Sequence, residues 1–118
     1  MPKFVKCDGF DAKAESFVQG CQALMNKWFE RYPNLTPDRF GFDPLQRYLR
    51  IFRVDVAPDG TELETSKSVF CFIEYTTGDI FKPDGWKKPA KHKRGNIFSP
   101  QNGLEAVNPN GVSIHYLK

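Results

Sequence analysis

The sequence lacks any apolar run close to the roughly 20 residues that a membrane-spanning helix requires. Its N-terminus, MPKFVKCDGF, also lacks the long apolar core and the small-residue cleavage site of a secretion signal. Cysteine is scarce, and the three cysteines are odd in number and widely spaced, unlike a disulfide framework. From these absences we expect a protein of a reducing, cytoplasmic compartment that has no membrane partner.

The common signatures of catalytic and metal sites are also missing. The two histidines and three cysteines lack any paired spacing for zinc, and there is no glycine-rich phosphate loop. Cys21 and Cys71 fall on predicted apolar faces, where cysteine behaves as a small hydrophobe. The residues that a metal-dependent nuclease would draw on are Asp55, Glu74, Asp79 and Lys82. No nuclease spacing connects them, so we expect no enzyme, no metal and no cofactor.

Aromatic residues, in contrast, are plentiful. Eleven phenylalanines, four tyrosines and two tryptophans supply large apolar areas, enough for a core without disulfides or metals. With 118 residues, 40% of them hydrophobic and 26% charged, the chain has the size and composition of one ordinary soluble domain. We therefore expect a single globular domain over residues 1–118.

The N-terminal part of the chain has the pattern of an amphipathic helix. In residues 12–31, apolar side chains recur at three- and four-residue steps, which places them on one face. We expect Asp11 to cap the start of this helix. The connector that follows, residues 32–45, is rich in proline and is predicted to be irregular, with Phe40 and Phe42 turned into the core.

Strand patterns occupy the rest of the chain. Residues 46–56 and 68–75 are rich in aromatic and β-branched residues, and a turn with Gly78 leads into a short strand at residues 79–82. Residues 112–117 alternate and predict a last strand. The predicted fold class is α+β: an N-terminal amphipathic helix packed on a small antiparallel β-sheet, with a long basic loop.

Three arginines on the first predicted strand have two interpretations. Arg47, Arg50 and Arg53 either extend a basic surface across the sheet or pair with acids on a neighbouring strand. The second interpretation is our default. The candidate partners are Glu62, Glu64 and Glu74.

Positive charge is concentrated in one stretch, residues 82–96. It holds six cations against one acid, a net charge of +5, whereas the remainder has eleven cations against thirteen acids, a net charge of −2. Pro83 and Pro89 exclude a continuous helix and hold the chain extended, so that its cations can follow a phosphate backbone. Trp86 offers a flat face for an unpaired base. The candidate nucleic-acid-binding residues are Lys82, Trp86, Lys87, Lys88, Lys91, His92, Lys93 and Arg94.

The same stretch also has plainer interpretations. Runs of charge usually form a solvated surface, and Trp86 is then an anchor that holds the loop on the sheet. A protein-interaction or assembly module would use the stretch on an acidic protein surface. The sequence thus leaves two hypotheses: a non-enzymatic accessory protein that contacts single-stranded or duplex nucleic acid, and an interaction module that binds none.

Residues 77–98, TGDIFKPDGWKKPAKHKRGNIF, add a resemblance. The order TGDI, a lysine, a WK pair, PAK and RGNI resembles a segment of small uncharacterised proteins of bacteriophages and other DNA viruses. It covers about a fifth of the chain. The resemblance implies a viral source, a setting inside the host cell, and one structural unit formed by this segment. It brings no activity with it.

Overall fold

The structure, a computed structural model, describes residues 5–86, 88–108 and 113–114. One helix, α1 (Phe10–Phe29), packs on one face of a five-stranded sheet. The strands of this sheet lie in chain order, each antiparallel to the next: β1 (Arg39–Pro44), β2 (Tyr48–Val54), β3 (Ser68–Glu74), β4 (Asp79–Pro83) and β5 (Pro89–Asn96). A two-stranded sheet pairs β6 (Val107–Asn108) with β7 (Ser113–Ile114). The α+β class, with an N-terminal helix on an antiparallel sheet, is confirmed.

Helix α1 forms where the apolar spacing predicts it, but it begins two residues earlier. Its buried residues, which follow that spacing, are Phe10, Ala14, Phe17, Val18, Cys21 and Met25. The N-cap is Gly9 and not Asp11, because the chain enters the helix through a left-handed turn at φ 78° that favours glycine. Asp11 instead lies in the first turn, where it accepts a 2.9 Å hydrogen bond from Lys6.

The connector predicted to be irregular contains strand β1. This edge strand is short and interrupted by Gly41 and Pro44, so its residues give little periodic signal by themselves. The side-chain amide of Gln22 on α1 secures its first end, donating to the Asp38 carbonyl oxygen at 2.8 Å and accepting from the Phe40 N–H at 2.9 Å. Gln22 thus satisfies two backbone groups at this edge of the sheet.

The expectation for the two phenylalanines of that connector is half right. Phe40 is buried and packs edge-on against Phe70, with 4.9 Å between ring centres. Phe42 is exposed, because a cleft separates it from Ala14 on the first turns of α1. Phe40 therefore belongs to the core, whereas Phe42 is open to solvent.

The predicted long basic loop is wrong in its conformation. Residues 79–86 and 88–96 form a β-hairpin, called here the basic hairpin, in which β4 and β5 flank a turn closed by the Asp84 N–H and the Lys88 carbonyl oxygen at 2.9 Å. Pro89 is tolerated because it begins β5, a strand at the edge of the sheet. The predicted last strand at residues 112–117 is represented by β7; its other residues lie outside those described.

Candidate nucleic-acid interface

Strand β5 pairs with β4 irregularly, which changes how its side chains project. Between the pairs Phe81–Lys93 and Pro83–Pro89, β4 contributes one residue and β5 contributes three. A second irregularity leaves Arg94 without a partner residue on β4. Such bulges bend a strand and re-aim its side chains. The most basic part of the chain therefore lies on a bulged edge strand.

Five of the eight candidate residues are exposed on the basic hairpin: Trp86, at 37%, and the four basic residues Lys88, Lys91, His92 and Lys93. We call these four basic residues the exposed basic cluster. Lys88 approaches Asp84 at 3.8 Å with 73% of its side chain exposed, and Lys93 approaches Asp79 at 3.8 Å with 67% exposed. Ion pairs this long and this solvated contribute about 0–1 kcal/mol. Both lysine charges therefore still face water.

The other cations of the stretch are placed differently. Lys82 and Arg94 are half-buried. The Nε and Nη1 atoms of Arg94 are buried and have no hydrogen-bond partner within the described residues. Lys87 lies outside the described residues. The seven described candidates thus do not form one uniform surface, and the cations among them that are most open to solvent are those of the exposed basic cluster.

Trp86 holds the tip of the basic hairpin on the sheet. The guanidinium of Arg50 lies 3.9 Å from the centre of its ring and donates from Nη1 to its carbonyl oxygen at 3.0 Å. The other terminal nitrogen of Arg50 donates to Asp43 at 3.0 Å. Leu49 and Ile51 face α1, so Arg50 lies on the opposite sheet face. The contacts of Trp86 are those of an anchor.

Sequence reasoning did not identify Arg50 as the residue that fixes this tip. The sequence signal for such a role is an arginine placed between aromatic and aliphatic residues of a strand. This signal does not identify the partner, because Trp86 lies 36 positions away along the chain. The aromatic residues around it on this face are also engaged with one another. Tyr48 makes edge-to-face contacts with Phe72 and Phe81, with ring centres 6.1 and 5.9 Å apart.

The arginines of the first predicted strand pair with acids, and two of the acids differ from those expected. Arg47 binds Glu74 at 2.9 Å, as predicted. The remaining pairs, whose acids come from β1 or the residue before it, are Arg50–Asp43 at 3.0 Å and Arg53–Asp38 at 2.8 Å. Glu62 instead binds Arg39, which is also on β1. The prediction missed these partners because it did not contain β1.

Three of the residues considered for catalysis, Glu74, Cys21 and Cys71, are buried. Within the described residues, no group of three or more histidine, cysteine, aspartate or glutamate side chains could hold a metal ion. Glu74 is buried and accepts hydrogen bonds from Arg47 and Thr77. The cysteines are free; burial raises the pKa of Cys21 to about 12 and that of Cys71 well above its usual value. Both thiols are therefore protonated at neutral pH and poor nucleophiles.

The described part of the chain contains no helix that is long and apolar enough to cross a membrane. A family model described as a family of unknown function, DUF7717, matches residues 7–117. The chain belongs to DUF7717. No curated protein and no solved structure matches it. The DUF7717 match spans α1, the five-stranded sheet and the basic hairpin, so the candidate interface lies within the matched region.

Proposed function

We propose that this DUF7717 protein is a small, non-enzymatic accessory protein that contacts nucleic acid through the exposed basic cluster. The observation that carries the proposal is that Lys88 and Lys93 meet carboxylates only at 3.8 Å, while the nearby Lys91 and His92 are exposed. Cations that keep their hydration and their charge are available to displace the counterions of a phosphate backbone.

The arginines outside the basic hairpin differ from these exposed cations. Four of them are held by carboxylates at 2.8–3.0 Å, in the pairs Arg39–Glu62, Arg47–Glu74, Arg50–Asp43 and Arg53–Asp38. Their charges are compensated locally, so they contribute little field at a distance. The net +5 of residues 82–96 therefore dominates the attraction of an anion to the molecule.

A competing explanation also has structural support. Lysine, proline and bulges are the features by which edge strands avoid pairing with other chains, and β5 has all three. If edge protection is their role, the lysines of β5 bind no ligand. Alternatively, they contact an acidic protein surface, and the protein is an interaction module. A direct binding measurement with nucleic acid separates these explanations, because neither edge protection nor an acidic protein partner requires affinity for a phosphate chain.

The test is a titration with single-stranded DNA, duplex DNA and RNA at several salt concentrations. If the three described lysines of the exposed basic cluster touch phosphates, log affinity falls against log salt with a slope of about −2 to −3. Changing Lys91 and Lys93 to alanine then makes that slope shallower, by about 1.4 to 1.8. The matched control changes Lys13 and Lys27, exposed lysines of α1, and leaves the slope unchanged.

Two outcomes overturn the proposal. One is the absence of detectable association of the unchanged protein with any nucleic acid at low salt. The other is an equal loss of affinity in both double variants, because that means net charge and not the exposed basic cluster governs binding.

We also propose that the protein acts inside the host cell of a virus. The resemblance of residues 77–98 to segments of phage and other DNA-virus proteins supports the source, and the three free cysteines support a reducing compartment. Genes next to its own that encode phage replication or virion proteins are the expected finding. A position among unrelated cellular genes would count against it.

A further inference from the structure

The aromatic ring within the basic stretch is already used by the protein. Proteins that bind single strands stack successive bases on aromatic side chains. Trp86 is the single aromatic residue of positions 82–96, and 37% of it is exposed. The Arg50 guanidinium lies over its ring at 3.9 Å, and the Arg50 side chain is only 12% exposed. A base can replace this guanidinium only if Arg50 also leaves Asp43 and the Trp86 carbonyl oxygen.

The neighbouring aromatic residues do not form a stacking platform either. Tyr48 makes edge-to-face contacts with Phe72 and Phe81, at interplanar angles of 73° and 80°. Phe72 has no exposed surface. These rings pack against one another and not toward a ligand, so on this sheet face they stabilise the fold.

The exposed cations, in contrast, are concentrated within positions 88–93 at the edge of the sheet. Lys91 and Lys93 lie two positions apart on β5, and the bulge between Pro89 and Lys93 changes how their side chains project. Cations concentrated in this way match the high phosphate density of a duplex, which carries one negative charge per about 1.7 Å of its axis. A duplex also carries twice the linear charge and releases more counterions per contact than a single strand.

We propose that the ligand of the exposed basic cluster is the phosphate backbone of a duplex, bound without readout of its bases. The inference rests on the proposed function of the basic hairpin. In this proposal Trp86 stabilises the fold, and the exposed basic cluster binds the ligand. Affinity is then set by charge density and salt, and base sequence has little influence.

The experiment compares a duplex with a single strand of equal phosphate count, at one salt concentration, and then compares duplexes of different sequence. We expect severalfold tighter binding of the duplex. A site that reads bases loses about 5- to 150-fold in affinity per changed base pair, whereas we expect changes below about twofold. Trp86→Phe, which keeps an aromatic anchor, should also leave duplex affinity within about twofold of the unchanged protein.

Fluorescence provides a second readout that does not depend on affinity. In a Trp28→Phe background, Trp86 is the single tryptophan, and we expect no stacking-type quenching on addition of a single strand. Tighter binding of the single strand, with quenching of Trp86, would overturn the inference and leave the proposed function standing. A strong dependence of duplex affinity on sequence would also overturn it. No binding of either form would overturn the proposed function itself.

Discussion

Replacement of Arg50 by alanine tests whether the tip of the basic hairpin is part of the folded structure. The Arg50 guanidinium bonds Asp43 and the Trp86 carbonyl oxygen, each at 3.0 Å, and lies 3.9 Å from the centre of the Trp86 ring. The substitution removes all three contacts at once. It leaves the backbone of β2 able to form its ladder, because alanine is compatible with a strand position.

The expected cost follows from these contacts. A hydrogen bond from a charged group contributes about 1.5–3 kcal/mol, and a partly desolvated cation–π contact contributes about 0.5–2 kcal/mol. The contacts share one guanidinium, so their contributions are not additive. Asp43 is partly exposed and is rehydrated when its partner is lost, which lowers the cost. We expect Arg50→Ala to reduce the free energy of unfolding by about 2–3 kcal/mol.

Urea denaturation measures this difference. With a slope of about 1–3 kcal/mol per molar urea for a small domain, the midpoint should fall by about 1 M. The control is Arg39→Ala, the same substitution in a strand of the same sheet. The Arg39 side chain is 54% exposed and binds Glu62 at the surface, so its loss should cost about 0–1 kcal/mol.

Arg50→Lys separates charge from geometry. Lysine keeps the positive charge but lacks the planar group that stacks on a ring and donates in two directions. We expect it to recover less than half of the loss caused by alanine. Equal stability of Arg50→Ala and Arg39→Ala, or full stability of Arg50→Lys, would refute the reasoning that the guanidinium clamps the tip of the hairpin to the sheet.

Two further predictions concern the turn before β4 and the thiols. Gly78 has a φ of +77°, and a Cβ on this residue would lie 2.7 Å from a phenylalanine ring. Gly78→Ala should therefore reduce the free energy of unfolding by at least about 1 kcal/mol more than Gly60→Ala does. Gly60 also has a positive φ but open space around it; equal thermal shifts would contradict the argument. At about pH 8, an alkylating reagent should modify no thiol other than Cys7 in the native protein and all three after unfolding, because burial raises the pKa of Cys21 and Cys71. Rapid native labelling of a second thiol would contradict it.

The parts of the fold that the sequence predicts are those with a strong signal of their own. Helix α1 has a regular apolar face, and β3 is an apolar run that ends at a turn containing Gly78. The edge strands β1 and β5 lack such a signal, since they are short or polar and are strands only because β2 and β4 lie beside them. Partners of Arg50 and Arg53 were missed for the same reason: their acids become neighbours when β1 pairs with β2.

The candidate site shows how composition and exposure differ as guides to function. The sequence marks eight residues of the basic stretch alike, but Trp86 serves as an anchor in the fold, and Lys82 and Arg94 are half-buried. Protection of an edge strand explains why lysines lie on β5, and it requires only that they be charged. Phosphate binding requires in addition that the charged groups stay hydrated and accessible. Lys88 and Lys93 approach carboxylates only at 3.8 Å and have 73% and 67% of their side chains exposed, whereas Arg50 binds Asp43 at 3.0 Å and is 12% exposed. Edge protection and ligand binding are therefore compatible roles of one strand, and the salt dependence of binding measures the second without disturbing the first.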